Sequence, residues 1–263
     1  MIDNYIAIGI NSIELAILIY VIVRALDPIS KGDHSMRVIF YLFAMISMLC
    51  SAVYWIAFDI LRPDLRMPIA ANEIGESAAF LLLASAMSSD KSSAFTDARK
   101  EVSLAVLFVM ASVALWIGWS GEWIQDILGG FTFGYYGCVA VWDMKRREAL
   151  LPWQWKLMGI IAFLLVLMEA GVFFVPDSFK KGLDLACYGL MFASLGILAL
   201  IISGAFKRKT SPHALFAIIC GSHFWTSSLM YMSEGPYYLA SYLGTIMMFP
   251  LMLLSIRKEQ EAL

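Results

Sequence analysis

The sequence has few charged residues and few histidines. Only 15% of its 263 residues are charged and three are His, whereas soluble domains carry about 25% charged residues. Apolar residues make up 60% of the chain, and the mean hydropathy is +0.75. A soluble fold of this length could not bury so much apolar surface, so we predict a membrane protein. This composition excludes a nucleic-acid binder, a disulfide-rich secreted domain and a disordered chain.

The sequence also lacks the residues that hold common membrane cofactors. No lysine lies deep in an apolar segment, which excludes a retinal Schiff base. Only one histidine, His223, lies inside such a segment, which excludes a bis-histidine haem. The four cysteines form no CxxC pair, and we find no GxSxG, HExxH, phosphate-binding loop or dinucleotide fingerprint. The sequence therefore predicts no cofactor and offers no positive sign of an enzyme.

Nine apolar segments are each long enough to cross the hydrocarbon core as a helix, which takes about 20 residues. Only a helix satisfies all backbone groups within such a segment. We therefore predict an all-α polytopic bundle that forms a single integral membrane domain over residues 1–263. The predicted spans are 5–23, 38–58, 69–87, 102–119, 124–142, 157–175, 183–206, 212–232 and 237–256.

Lysine and arginine are distributed unevenly between alternate loops. With nine spans, fifteen of these residues fall on one side of the membrane and four on the other. Because basic loops stay in the cytoplasm, the N-terminus is predicted outside and the C-terminus inside. One helix and four hairpins that close on the outside would result, in a cell membrane such as a bacterial inner membrane.

A weak internal repeat relates residues 38–87 to residues 212–256. Leu42–Ile46 resembles Leu215–Ile219, and the segment 71–75 aligns with 240–244, each ending in glycine. Both hairpins run in the same direction, as in a parallel repeat. Chance similarity between two segments rich in Leu, Ala and Phe is the alternative.

The most informative residues are carboxylates inside predicted spans, because each charge costs about 2.5–3.5 kcal/mol at the membrane centre. No deep lysine or arginine neutralises them, so they predict an acidic cavity, open to the outside, that attracts a cation. The alternative is that some of them reach the interface and the others are protonated side chains in interhelical hydrogen bonds. The candidate binding residues are Glu14, Asn72, Glu73, Glu76, Glu169 and His223.

Span 5 contains a GxxxG pair, Gly130 and Gly134, which lets helices approach closely within the bundle or in a dimer. Pro250 interrupts the last span and is a candidate for gating.

The leading functional prediction is transport or binding of a small cationic solute or ion. Two alternatives remain open. One is a non-catalytic membrane subunit or sensor that binds a partner protein within the membrane, and the other is an intramembrane enzyme that modifies a lipid. The predicted partners are membrane lipids, a small cation, and a membrane protein or a second copy of the chain.

Overall fold

A computed structural model describes residues 2–30, 32, 35–61, 71–89, 123–172, 174–208 and 210–262, together with seven positions between 103 and 114. Within these residues the chain forms eight α-helices, and the fourth predicted span, 102–119, lies largely outside them. The helices are α1 Ile2–Ser30, α2 Met36–Leu61, α3 Ala71–Ser88, α4 Trp123–Arg146, α5 Pro152–Gly171, α6 Asp177–Lys207, α7 Pro212–Tyr231 and α8 Gly235–Ala262.

Five of these helices are long and apolar enough to cross a membrane. The qualifying segments are Ile8–Ser30, Met36–Phe58, Pro152–Gly171, Asp177–Lys207 and Gly235–Gln260. The all-α class and a membrane-embedded chain are therefore supported. The other three described helices, α3, α4 and α7, are less apolar, so the nine spans and the orientation stay predictions.

Helices α1 and α8 run furthest past the C-terminal ends that hydropathy predicts. Helix α1 continues from residue 23 to Ser30, and α8 continues from residue 256 to Ala262. Hydropathy fails here because arginine and glutamate end an apolar run while remaining good helix formers. Pro28 near the end of α1 has no N–H for the carbonyl of Arg24. Arg257 of α8 donates to that carbonyl instead, at 3.2 Å.

The chain divides into two compact units, of which the first contains residues 1–143 and 249–263. In this unit α2 packs against α1 and α3. Helix α1 buries residues at intervals of three and four, which is the pattern of one helix face. That face consists of Asn11, Glu14, Leu18, Val21 and Ala25.

Two ion pairs and a hydrogen bond connect four helices of this unit at one end. Arg37 of α2 is buried, bonds to Glu259 of α8 and donates to the carbonyl oxygen of Ala86 in α3 at 3.4 Å. Arg257 of α8 binds Asp27 of α1 at 3.1 Å. We call this region the charged end; the basic-residue pattern predicts it on the cytoplasmic side.

The second unit contains residues 144–248. Here α5 packs against α6, and α6 packs against α7. Trp225 of α7 donates from Nε1 to the hydroxyl of Ser194 in α6 at 3.1 Å. Helix α7 is buried without a break from residue 214 to residue 223. It begins at Pro212, and the Ser211 hydroxyl caps it by accepting from the Ala214 amide at 3.3 Å.

The two-unit division does not test the predicted single membrane domain or the repeat, and both stay predictions. In each repeat segment the aligned glycine faces the preceding helix of its hairpin. Gly75 lies against Ser47 and Ser51, and Gly244 lies against Thr226.

Candidate functional site

Helices α2 and α3 touch backbone to backbone at Gly75. A Cβ atom on this glycine would lie 2.8 Å from the carbonyl oxygen of Ser47 and 3.4 Å from the Cβ of Ser51. Only a residue without a side chain fits there. Small residues at both surfaces permit this approach, as is usual where membrane helices pack closely.

The close approach brings a hydroxyl of α2 to a carboxylate of α3. Ser51 donates from Oγ to Oε1 of Glu76 at 3.0 Å. The Ser51 side chain is buried and that of Glu76 is half-buried. A hydroxyl has one proton to donate and two lone pairs, so Ser51 can still accept or coordinate while it donates to Glu76.

Asn72 lies one helical turn before Glu76 and is 4% exposed. Its Oδ1 atom is fully buried and has no hydrogen-bond partner among the described residues. Asn72 shares the buried stripe of α3 that includes Gly75 and Ala79, so it lies on the side that faces α2. A buried acceptor without a donor costs about 1–3 kcal/mol. This oxygen therefore marks a place where a donor or a cation would be stabilised.

Glu14 of α1 is a further acidic residue of the first unit's predicted site. It is 5% exposed and lies on the buried face of α1, one turn after Asn11. Counted from the charged end at Asp27, Glu14 lies about 20 Å along its helix, at 1.5 Å per residue. The same count from Arg37 places Ser51 about 21 Å along α2.

On α3 the distance along the helix from Ala86 at the charged end is about 15 Å for Glu76 and about 21 Å for Asn72, at 1.5 Å per residue. Polar groups of three neighbouring helices therefore lie at similar depth. We call Glu14, Ser51, Asn72, Glu73 and Glu76 the polar layer.

Glu73 occupies the first turn of α3. The N-terminal turn carries partial positive charge from the helix dipole, which stabilises a carboxylate there. Glu73 is half-buried. This position is compatible with the interfacial alternative, in which the Glu73 carboxylate reaches water at the membrane surface.

The other two predicted binding residues belong to the second unit. Glu169 of α5 is half-buried, and Oε1 accepts a hydrogen bond from the thiol of Cys187 in α6 at 3.3 Å. His223 of α7 is 1% exposed. The structure thus groups four of the six predicted residues in the first unit and assigns Glu169 and His223 to the second. Over the described ranges, no three His, Cys, Asp or Glu side chains converge to hold a metal ion.

The predicted packing and gating residues are also described. Gly130 and Gly134 are both buried on α4, which fits packing within the chain. Pro250 lies inside α8. Immediately before it, the carbonyl oxygen of Phe249 accepts a hydrogen bond from the Tyr41 hydroxyl at 2.7 Å.

Two residues of this region escape sequence reasoning. Ser51 is one of many serines, and only the contact at Gly75 distinguishes it. Arg37 reads as a loop cation, yet its side chain is 5% exposed. A glycine opposite a serine-rich helix face is the one sequence signal that could have indicated Ser51.

No family model, curated protein or solved structure matches this chain.

Proposed function

We propose that this integral membrane protein binds a small cation at the polar layer and transports it. Five apolar helices support the membrane location. The observation that carries the proposal is the buried Oδ1 atom of Asn72, which has no hydrogen-bond partner in the described structure and belongs to the residue one helical turn before Glu76.

A cation would stabilise several groups of the layer at once. Amide, hydroxyl and carboxylate oxygens are the ligands of hard cations. In the proposed site Asn72 and Glu76 bind the ion, and Ser51 holds the Glu76 carboxylate in place. Glu14 adds negative charge at the same depth on α1, and Glu73 attracts cations near the start of α3.

Two further predicted residues, Glu169 and His223, belong to the second unit and are not part of the proposed site. Glu169 already has a partner in the Cys187 thiol. We therefore treat the Glu169→Gln variant as the matched control, since it neutralises another half-buried carboxylate. The gating role of Pro250 remains part of the proposal.

Binding is tested by thermal unfolding of the detergent-purified protein against a panel of chloride salts at constant ionic strength. A ligand that binds only the folded state adds about 2.7 kcal/mol at 100 times its Kd. We expect a cation-dependent rise in Tm that is lost in Glu76→Gln and Asn72→Ala and retained in Glu169→Gln. A Tm that no cation raises would contradict the proposal and favour a partner-binding subunit.

Transport is tested separately in proteoliposomes. The purified protein is reconstituted, and uptake of the cation that raises Tm is followed under an imposed gradient. We expect uptake by the wild-type protein and none by Glu76→Gln. Binding without uptake would indicate a sensor rather than a transporter.

A further inference from the structure

The ligand atoms of the polar layer, together with their charge, narrow the class of cation. This argument rests on the proposed function, and it starts from the side chains that α2 and α3 bring together. The Ser51 hydroxyl of α2 donates to Glu76, and Asn72 lies one helical turn before Glu76 on α3. All three provide oxygen ligands, and only one of them carries a charge.

Among the three proposed ligands, one carboxylate and two neutral oxygens match one positive charge, and Glu14 and Glu73 lie outside this ligand set. Divalent calcium takes six to eight oxygen ligands and usually several carboxylates, while magnesium requires an octahedral shell. The described residues provide no cluster of three acidic, histidine or cysteine ligands. The energy needed to remove an ion's hydration shell also rises with the square of its charge. Neutral oxygens, by contrast, replace the hydration shell of a monovalent ion effectively.

The packing of α2 and α3 bears on the size of the ion. At Gly75 the two backbones are so close that a Cβ atom would lie only 2.8 Å from the carbonyl oxygen of Ser47. Asn72 and Glu76 lie on either side of this contact along α3. A contact this close leaves little room between α2 and α3 beside it, which favours a small ion over a large one.

We infer that the Asn72, Glu76 and Ser51 side chains form a site for a dehydrated monovalent alkali cation of sodium size. Asn72 Oδ1 and the Glu76 carboxylate coordinate the ion. The Ser51 hydroxyl donates a hydrogen bond to Glu76, and a lone pair of its oxygen coordinates the ion. The buried, unpartnered oxygen of Asn72 distinguishes this specific ion site from a surface that only carries exposed carboxylates.

The test is binding of radioactive sodium to the purified wild-type protein, with competition by unlabelled ions. Sodium chloride should displace the label, potassium chloride should do so less effectively, and choline chloride should not compete. Calcium and magnesium chloride should displace no more label than choline chloride at equal ionic strength. Asn72→Ala should weaken sodium binding by about tenfold, the effect of losing one such interaction.

Two controls separate ion binding from damage to the fold. Ser255 is a buried hydroxyl of the same unit that donates to its own helix at 2.7 Å. Ser255→Ala should leave sodium binding unchanged, whereas Ser51→Ala should weaken it. Asn72→Asp adds a second carboxylate, so this variant should gain a calcium-dependent rise in Tm that the wild type lacks.

The outcomes distinguish this inference from the proposed function. Binding of calcium or magnesium but not sodium, abolished by Glu76→Gln, would overturn the monovalent site and leave cation binding intact. Sodium binding that persists in both Asn72→Ala and Glu76→Gln would overturn the site itself. Failure of every tested cation to bind the wild-type protein would overturn both the inference and the proposed function.

Discussion

The contact at Gly75 gives a strict test of the fold around the site. Gly75→Ala adds one methyl group, which would lie 2.8 Å from the Ser47 carbonyl oxygen and 3.4 Å from the Ser51 Cβ. The carbonyl belongs to the α2 backbone and cannot rotate away as a side chain can. The helices must therefore move apart, and this movement lengthens the Ser51–Glu76 hydrogen bond.

The expected magnitude is a balance of two effects. Overpacking a filled contact costs about 1–3 kcal/mol. Alanine offsets part of this cost, because it is more favourable than glycine in a helix by roughly 0.5–1 kcal/mol. We therefore expect Gly75→Ala to lower the free energy of unfolding by about 0.5–2 kcal/mol. Its sodium response should weaken as well, since the ligand atoms separate.

Reversible unfolding in mixed detergent micelles, followed by far-UV circular dichroism, measures this change. The matched control is Gly196→Ala on α6, because nothing lies within 4 Å of the added methyl group. That variant should be as stable as the wild type or slightly more stable. Equal stability of Gly75→Ala and Gly196→Ala would refute the close contact between α2 and α3.

Three further predictions concern other parts of the molecule. Arg37→Met removes the partner of Glu259 at the charged end and should lower the free energy of unfolding by about 2–3 kcal/mol. The control Arg24→Met removes a side chain that is 44% exposed and should lower it by at most about 1 kcal/mol. Equal losses in the two variants would contradict the burial of Arg37. N-ethylmaleimide should modify the exposed Cys50 faster than the buried Cys187. Mass spectrometry of the detergent-purified protein measures the two rates, and equal rates would argue against the α5–α6 packing. A reporter that is active only in the cytoplasm should be active when fused to the C-terminus, and an inactive reporter on a stably expressed fusion would contradict the orientation inferred from the basic loops.

Much of the helical framework is predictable from the sequence because apolar runs are long and charges are rare. The predicted span 212–232 matches Pro212–Tyr231 almost residue for residue. Prediction is poorer at the ends of α1 and α8, where charged residues continue the helix beyond the apolar run. The number of membrane crossings is harder to derive, because α3 has Glu73 and Glu76 in its first half and is less apolar than a typical span.

The site is only partly predictable, for a different reason. Asn72 and Glu76 stand out in the sequence because amides and carboxylates are rare inside apolar segments. Ser51 does not stand out, since its role depends on which face of α2 meets α3. Glu169 looked equivalent to Glu76 in the sequence, yet the fold places it beside Cys187 in the other unit. Burial and helix pairing, rather than residue type, decide between them.

The hydrogen bond from Tyr41 to Phe249 affects how freely α8 can bend. Pro250 has no backbone N–H, so one backbone hydrogen bond of the helix is missing and the helix bends most easily there. The carbonyl of Phe249 is tied across to α2 at this point by the Tyr41 hydroxyl, at 2.7 Å. A bond worth about 1 kcal/mol makes the untied conformer roughly fivefold rarer. A proline alone would let α8 bend freely at this point. The hydrogen bond to the neighbouring carbonyl instead gives the helix one preferred conformation, to which it returns after bending.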